Sequence, residues 1–238
     1  MTIDQNGSAE TEAKALARIV GLSLLATILV GMLSALTVGQ GIDINLSADV
    51  VATARNMLEA EAALRAKSYI ALLVFALEVV IGAGLFLLLR KSGPLLAAWS
   101  LIIGLGAALL VLMGAVFNLN AAEIAGNVAY TELADEKQRL LLTGLQATSD
   151  YTSFHLGLIL TSVGNAGFAY LFLRSGLIPK LIAGWGVFAF SFVAIAIVAR
   201  DFIPIIGHSA VTLSFMASNL IALVALGLYL AIKGVRSA

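Results

Sequence analysis

The sequence has no cysteine, and only 12% of its residues are charged. Without cysteine, disulfide frameworks and thiolate sites are excluded, and the redox compartment cannot be read. Soluble domains carry about 25% charged residues and about 45–50% apolar ones. Here 61% are hydrophobic and mean hydropathy is +1.02. A water-facing surface cannot be built from so little charge, so hydrocarbon is the expected solvent and the lipid bilayer the expected surroundings. The formal net charge is zero, which gives no support to a nucleic-acid partner. Motifs are missing too. There is no Gly-rich phosphate loop, H-E-x-x-H, G-x-S-x-G or C-x-x-C, and no lysine sits mid-span for a retinal Schiff base. Nothing implies a cofactor.

What is present is a set of long apolar runs. A bilayer core about 30 Å thick needs roughly 20 apolar residues as a helix. Six stretches qualify: Ala15–Val38, Tyr69–Leu89, Leu95–Phe117, Tyr151–Leu173, Leu181–Ala199 and Ser209–Ile232. Lipid offers backbone groups no partner, so each should be helical. Their Gly, Ala, Ser and Thr suit close helix packing. The expected fold is all-α, a bundle of six transmembrane helices forming one domain over 15–232, with short tails at 1–14 and 233–238. The first run has acids in its leader, is longer than a signal-peptide core and lacks a clear A-x-A site, so it reads as a retained helix.

Basic residues mark one side. Lys14, Arg18, Arg90, Lys91, Arg174, Lys180, Lys233 and Arg236 crowd short loops and span ends, and the positive-inside rule makes that side cytoplasmic. Both termini are then expected inside, in the cell membrane. The long connections lie outside. In "SADVVATARNMLEAEAALRAK" apolar residues follow helical spacing, with Ser47 or Asp49 as cap. In "TELADEKQRLLLTGLQ" they do so again, with Thr131 as cap. Two amphipathic helices are expected on the outer face; the alternative is that both segments extend spans two and four.

The stretch "FLLLRKSGPLLAAW" (86–99) echoes "YLFLRSGLIPKLIAGW" (170–185). Arg90 and Arg174 would snorkel to headgroups, and Pro94 and Pro179 suit a first helical turn. Two hairpins meeting the same demands explain the echo, as does duplication of a two-helix unit. The opening "ARIVGLSLLATILVGML", the mid-span acid before "LFLLLR", and "DYTSFHLGLILTSVGNAGFAYLFLRSGLIPKLIAGWGV" together resemble a bacterial integral-membrane family known as domain of unknown function 4386. The resemblance runs from about Ala15 to the last span. It implies a six-span bacterial inner-membrane protein and supplies no catalytic residue. His155 departs from the acid or amide that the family often carries near that position.

The chemistry-bearing candidate is Glu78, in the middle of an apolar run. It lies about 18 Å along the helix from Arg90, near mid-membrane. An ionised side chain there costs several kcal/mol; a protonated one donates a hydrogen bond. Similar arithmetic puts Asn165 about 14 Å from Arg174 and Asn219 about 21 Å from Lys233. With Thr161 and Ser162, these make a central polar layer, either a proton- or ligand-binding site or interhelical glue worth about 0.6 kcal/mol per bond. A weaker cluster falls at the outer rim: Asn118, Asn120, Glu123, Asp150, His155, Arg200, Asp201 and His208. Two histidines on different segments make a poor zinc set. Ser153 and His155 are two apart on one helix and do not face each other, which rules out a Ser–His–Asp hydrolase with Asp150.

Three function classes remain. The first binds or transports a small molecule or lipid, as a homo-oligomer, through Glu78. The second is a structural or regulatory membrane component. The third is an intramembrane enzyme using Glu78 or His155.

Overall fold

Among the described residues of the computed structural model, six helices are long and apolar enough to cross a membrane; five expected runs lie wholly on them, and the first, Ala15–Val38, runs two residues past the end of its helix at Leu36. The structure describes residues 3–47 and 49–236, with no strand among them. Of the expected tails, residues 1, 2, 237 and 238 lie outside the described residues, as does the side chain of the expected cap Ser47. The chain is an all-α, polytopic membrane protein. In order, α1 is Ile3–Leu36, α2 Ile44–Ser47, α3 Val50–Glu59, α4 Glu61–Leu89, α5 Pro94–Gly126, α6 Val128–Leu133, α7 Glu136–Ser175, α8 Lys180–Arg200 and α9 Ser209–Lys233. A single 3-10 turn, Pro204–Gly207, joins α8 to α9.

Contacts divide the chain into two compact units. One holds residues 3–27, 77–107 and 158–236; the other holds Ile28–Ala76 and Ala108–Gly157. Helices α1, α4, α5 and α7 contribute turns to both.

In the first unit, Val20, Leu24, Ile81, Leu85, Leu89, Phe168, Phe172 and Leu230 form the main core. Small residues let the backbones meet. A Cβ on Gly21 would run into Ala231 N and Gly227 O, so α1 and α9 touch backbone to backbone. A Cβ on Gly164 would stand 3.0 Å from Ser100 O and 3.3 Å from Gly104 N, so α7 also approaches the backbone of α5, less closely than α1 approaches α9. Close approach of this kind is how membrane helices pack where lipid removes the hydrophobic drive. Both hairpins of the sequence echo are tight turns. Pro94 opens α5 and Pro179 is the N-cap of α8, where its missing N–H costs nothing. Gly176, at φ +70°, ends α7 in the left-handed region that favours glycine. The backbone N–H of Arg236 then returns to Leu177 O at 2.9 Å, tying the last residues to that turn.

The second unit packs Ile42, Ile44, Met57, Leu64, Ala121, Ala122 and Ala147 around the two patterned connections. The first connection is a separate amphipathic helix. Asp49 Oδ1 accepts from Ala52 N at 3.0 Å to cap α3, which buries Thr53, Ala54 and Met57 and breaks at Ala60 before α4. The second differs from expectation. Thr131 is no cap, since it lies inside α6 and its hydroxyl donates to Val128 O at 2.7 Å. The amphipathic stretch instead begins at Asp135 and runs unbroken into span four, giving α7 its 40 residues. Asp135 Oδ1 accepts from Gln138 N at 2.8 Å, and Gln138 Oε1 accepts from Asp135 N at 2.9 Å. This reciprocal capping box outcompetes a lone threonine. Arg139, one residue on, donates to Ile124 O and Ala125 O at 3.2 and 3.0 Å and so closes the carbonyl end of α5.

Candidate functional site

Glu78 lies in the first unit, on α4, one turn before Gly82. It faces a cavity of about 20 Å³ together with Ser100 from α5 and Thr161 and Asn165 from α7. Glycine shapes that space. Gly104 is part of the lining, and the close approach at Gly164 holds α7 against α5 beside it. Among the described residues no side chain hydrogen-bonds to or ion-pairs with Glu78. The Ser100 hydroxyl, on a residue with no exposed surface, also lacks a partner. A cavity needs about 10–15 Å³ to admit a water molecule, and a water needs two to four polar partners. This one has both the room and the partners. An organic ligand would need the helices to separate.

Of the expected central layer, Glu78, Thr161 and Asn165 come together. Asn219 is half-buried on α9 and is not part of the cavity wall, and neither is the buried Ser162. Ser100 was missed. It is one serine in an apolar span that reads as packing, and only the crossing of α5 with α7 gives it a place in this wall.

The second unit carries a charged constellation built around Asp150. Lys67 Nζ, on the first turns of α4, is 3.1 Å from Asp150 Oδ2 and 3.4 Å from Asp43 Oδ2. Their side chains are only 15%, 10% and 18% exposed, so solvent screens them weakly. Asn118 Nδ2, on α5, donates to Asp150 Oδ2 at 3.2 Å and to Gly114 O at 2.7 Å. Asp43 Oδ1 accepts from both the backbone and side-chain nitrogens of Asn45 at 3.1 and 3.0 Å. Gly114 makes room, because a Cβ there would collide with Asp150 Oδ1. One ammonium thus joins α4, α7 and the turn at Asp43, and Asn118 ties α5 to them through Asp150. Nearby, Arg65 bridges Glu61 at 3.0 Å and Glu123 at 2.7 Å.

Asp150 and Asn118, expected at the rim, meet here; Lys67 and Asp43 are the members that sequence reasoning missed. His155 shares α7 with Asp150 and packs against Tyr151, with ring centroids 4.4 Å apart and the planes tilted by 35°. Ser153 Oγ donates to Asp150 O, which leaves its hydroxyl with a structural task. Arg200, Asp201 and His208 belong to the other unit. There Asp201 is the C-cap of α8, and His208 caps α9 by accepting from Ala210 N at 3.5 Å.

A family model described as "Domain of unknown function (DUF4386)" matches residues 19–234. No curated protein and no solved structure matches the chain.

Proposed function

The chain belongs to the DUF4386 family, and we propose on that premise that it is a carrier of the cell membrane whose ligand or proton binds at Glu78. One observation supports this above the others. Glu78 faces a small polar cavity and has no hydrogen-bonding neighbour among the described residues. An acid retained only as interhelical glue would be bonded to the next helix, because the gain from such residues comes from that bond. An acid left open to a cavity is available to an incoming partner, the usual role of intramembrane carboxyls. At about 20 Å³ the space suits a proton carried with one water, with a small molecule or lipid admitted when the helices part.

Both termini face the cytoplasm in this proposal, since the basic residues of the short connections fall at that end. The working form is a homo-oligomer. The test is native mass spectrometry of protein released from its own membranes, wild type beside Glu78→Gln. The expected result is a bound small molecule or lipid that the variant lacks. No adduct in either form, with equal thermal stability and equal proton uptake into liposomes carrying either form, would make Glu78 a packing residue and end the proposal.

A further inference from the structure

A groove of about 440 Å³ runs between α3 and the first turns of α7, within the second unit. Val50, Val51 and Ala54 form one wall; Leu141 and Gly144 form the other. Its volume is within the roughly 300–1,000 Å³ range of small-molecule sites. It equals about fifteen groups the size of a water molecule, each taking about 30 Å³ in the liquid. Thr148 lines it too, but its hydroxyl already donates to Gly144 O at 3.0 Å. The remaining polar group is Lys137, exposed and without an ion-pair partner among the described residues. No acid is part of the lining.

The groove does not belong to the lipid-facing surface. Helix α7 has 40 residues, about 60 Å, which is twice the thickness of a hydrocarbon core. The groove residues of α7 precede Asp150, itself one residue before the apolar run Tyr151–Leu173, so they lie beyond the stretch that fills a hydrocarbon core. Yet Leu141 is 75% exposed and Val51 57%. Apolar surface shown at headgroup level marks a binding site. An open apolar trough with one unneutralised cation in its lining complements a single-chain amphiphile with an anionic head.

We propose that this groove binds a fatty acid drawn from the adjoining leaflet, its single acyl chain lying between α3 and α7 and its carboxylate on Lys137. The site is independent of Glu78. Gly144 sets its depth, since a Cβ there would stand 3.5 Å from Val50 Cγ1, in ordinary contact, and a longer side chain would fill the trough.

The test uses the full-length protein in phosphatidylcholine nanodiscs. The probes are a fatty acid carrying a photoreactive diazirine on its chain and the same chain ending in trimethylammonium. The fatty acid is expected to label residues 50–54 and 137–148 above the lipid-exposed Leu95 and Ile102. The cationic probe should label the groove about tenfold less, the worth of one charge-assisted contact. Lys137→Gln, a surface change that spares the fold, should abolish that preference. Gly144→Leu should abolish labelling, while Gly144→Ala keeps it. Groove labelling no stronger than at Leu95, indifference to the headgroup, or full labelling in Gly144→Leu would each overturn the proposal. So would labelling that emerges only on dilution to the monomer, which would give the groove to a second copy of the chain.

Discussion

Lys67 Nζ stands 3.1 Å from Asp150 Oδ2 across 83 residues of sequence, and it also faces Asp43. One cation therefore offsets two carboxylates in a partly buried place. Removing it strands both acids. Lys67→Met is expected to lower unfolding free energy by about 3 kcal/mol, the lower end of what breaking a buried pair costs. Asp150→Asn in the same chain should recover part of that loss, with a coupling of about 1–3 kcal/mol in a double-mutant cycle. Reversible unfolding in mixed micelles measures it. Strictly additive effects would mean that the clamp contributes nothing beyond its separate parts.

The six spans were legible because the bilayer imposes a length and a composition, and any apolar run of about 20 residues reports both. Glu78 was legible for the same reason, as an exception to that composition. Its wall was legible only in part. Depth along a helix is written in sequence, so Asn165 and Thr161 were found. Rotation about the helix and the crossing of neighbours are not written there, so Asn219 was grouped with them and Ser100 was not. The clamp of Lys67 with Asp43 depends wholly on tertiary contact. The start of α7 is a different case. Asp135 followed three residues later by Gln138 is a readable capping signal, and the choice of Thr131 passed over it.

Glycines in the first unit separate into two kinds that look alike in sequence. At Gly21 a Cβ would meet backbone atoms of Ala231 and Gly227, while at Gly184 it would meet nothing within 4 Å. Gly21→Ala is expected to destabilise by about 1–3 kcal/mol, since backbone cannot swing aside as a side chain can. Gly184→Ala should leave stability unchanged or raise it by up to about 1 kcal/mol through helix propensity. Thermal unfolding of the two variants side by side decides the matter. Equal gains would show that helix propensity, rather than the α1–α9 contact, governs both.

At the other unit, α3 starts on a side-chain cap. Asp49 Oδ1 accepts from Ala52 N at 3.0 Å. Asp49→Ala should cost about 1 kcal/mol. Hydrogen exchange should quicken at the Ala52 and Thr53 amides and stay unchanged in α8. Unchanged protection at Ala52 would mean that burial of Met57 and Ala54 alone holds the helix.

Room and chemistry at Glu78 can be separated by substituting a neighbour that carries no polar group. Gly82 lines the cavity one turn after Glu78, and a Cβ on it would stand 3.1 Å from Leu101 Cδ1, on another lining residue. Gly82→Ala therefore adds a methyl group beside the space for the water and asks only a side chain to give, so stability should change by less than about 1 kcal/mol. Glu78 keeps its carboxyl in this variant. If a proton and its water, or any ligand, must enter the cavity to bind, Gly82→Ala should lose the adduct or the flux as Glu78→Gln does. Binding that survives in Gly82→Ala but not in Glu78→Gln would show that the acid acts from outside the cavity, on a partner reached through the lipid-facing side of α4.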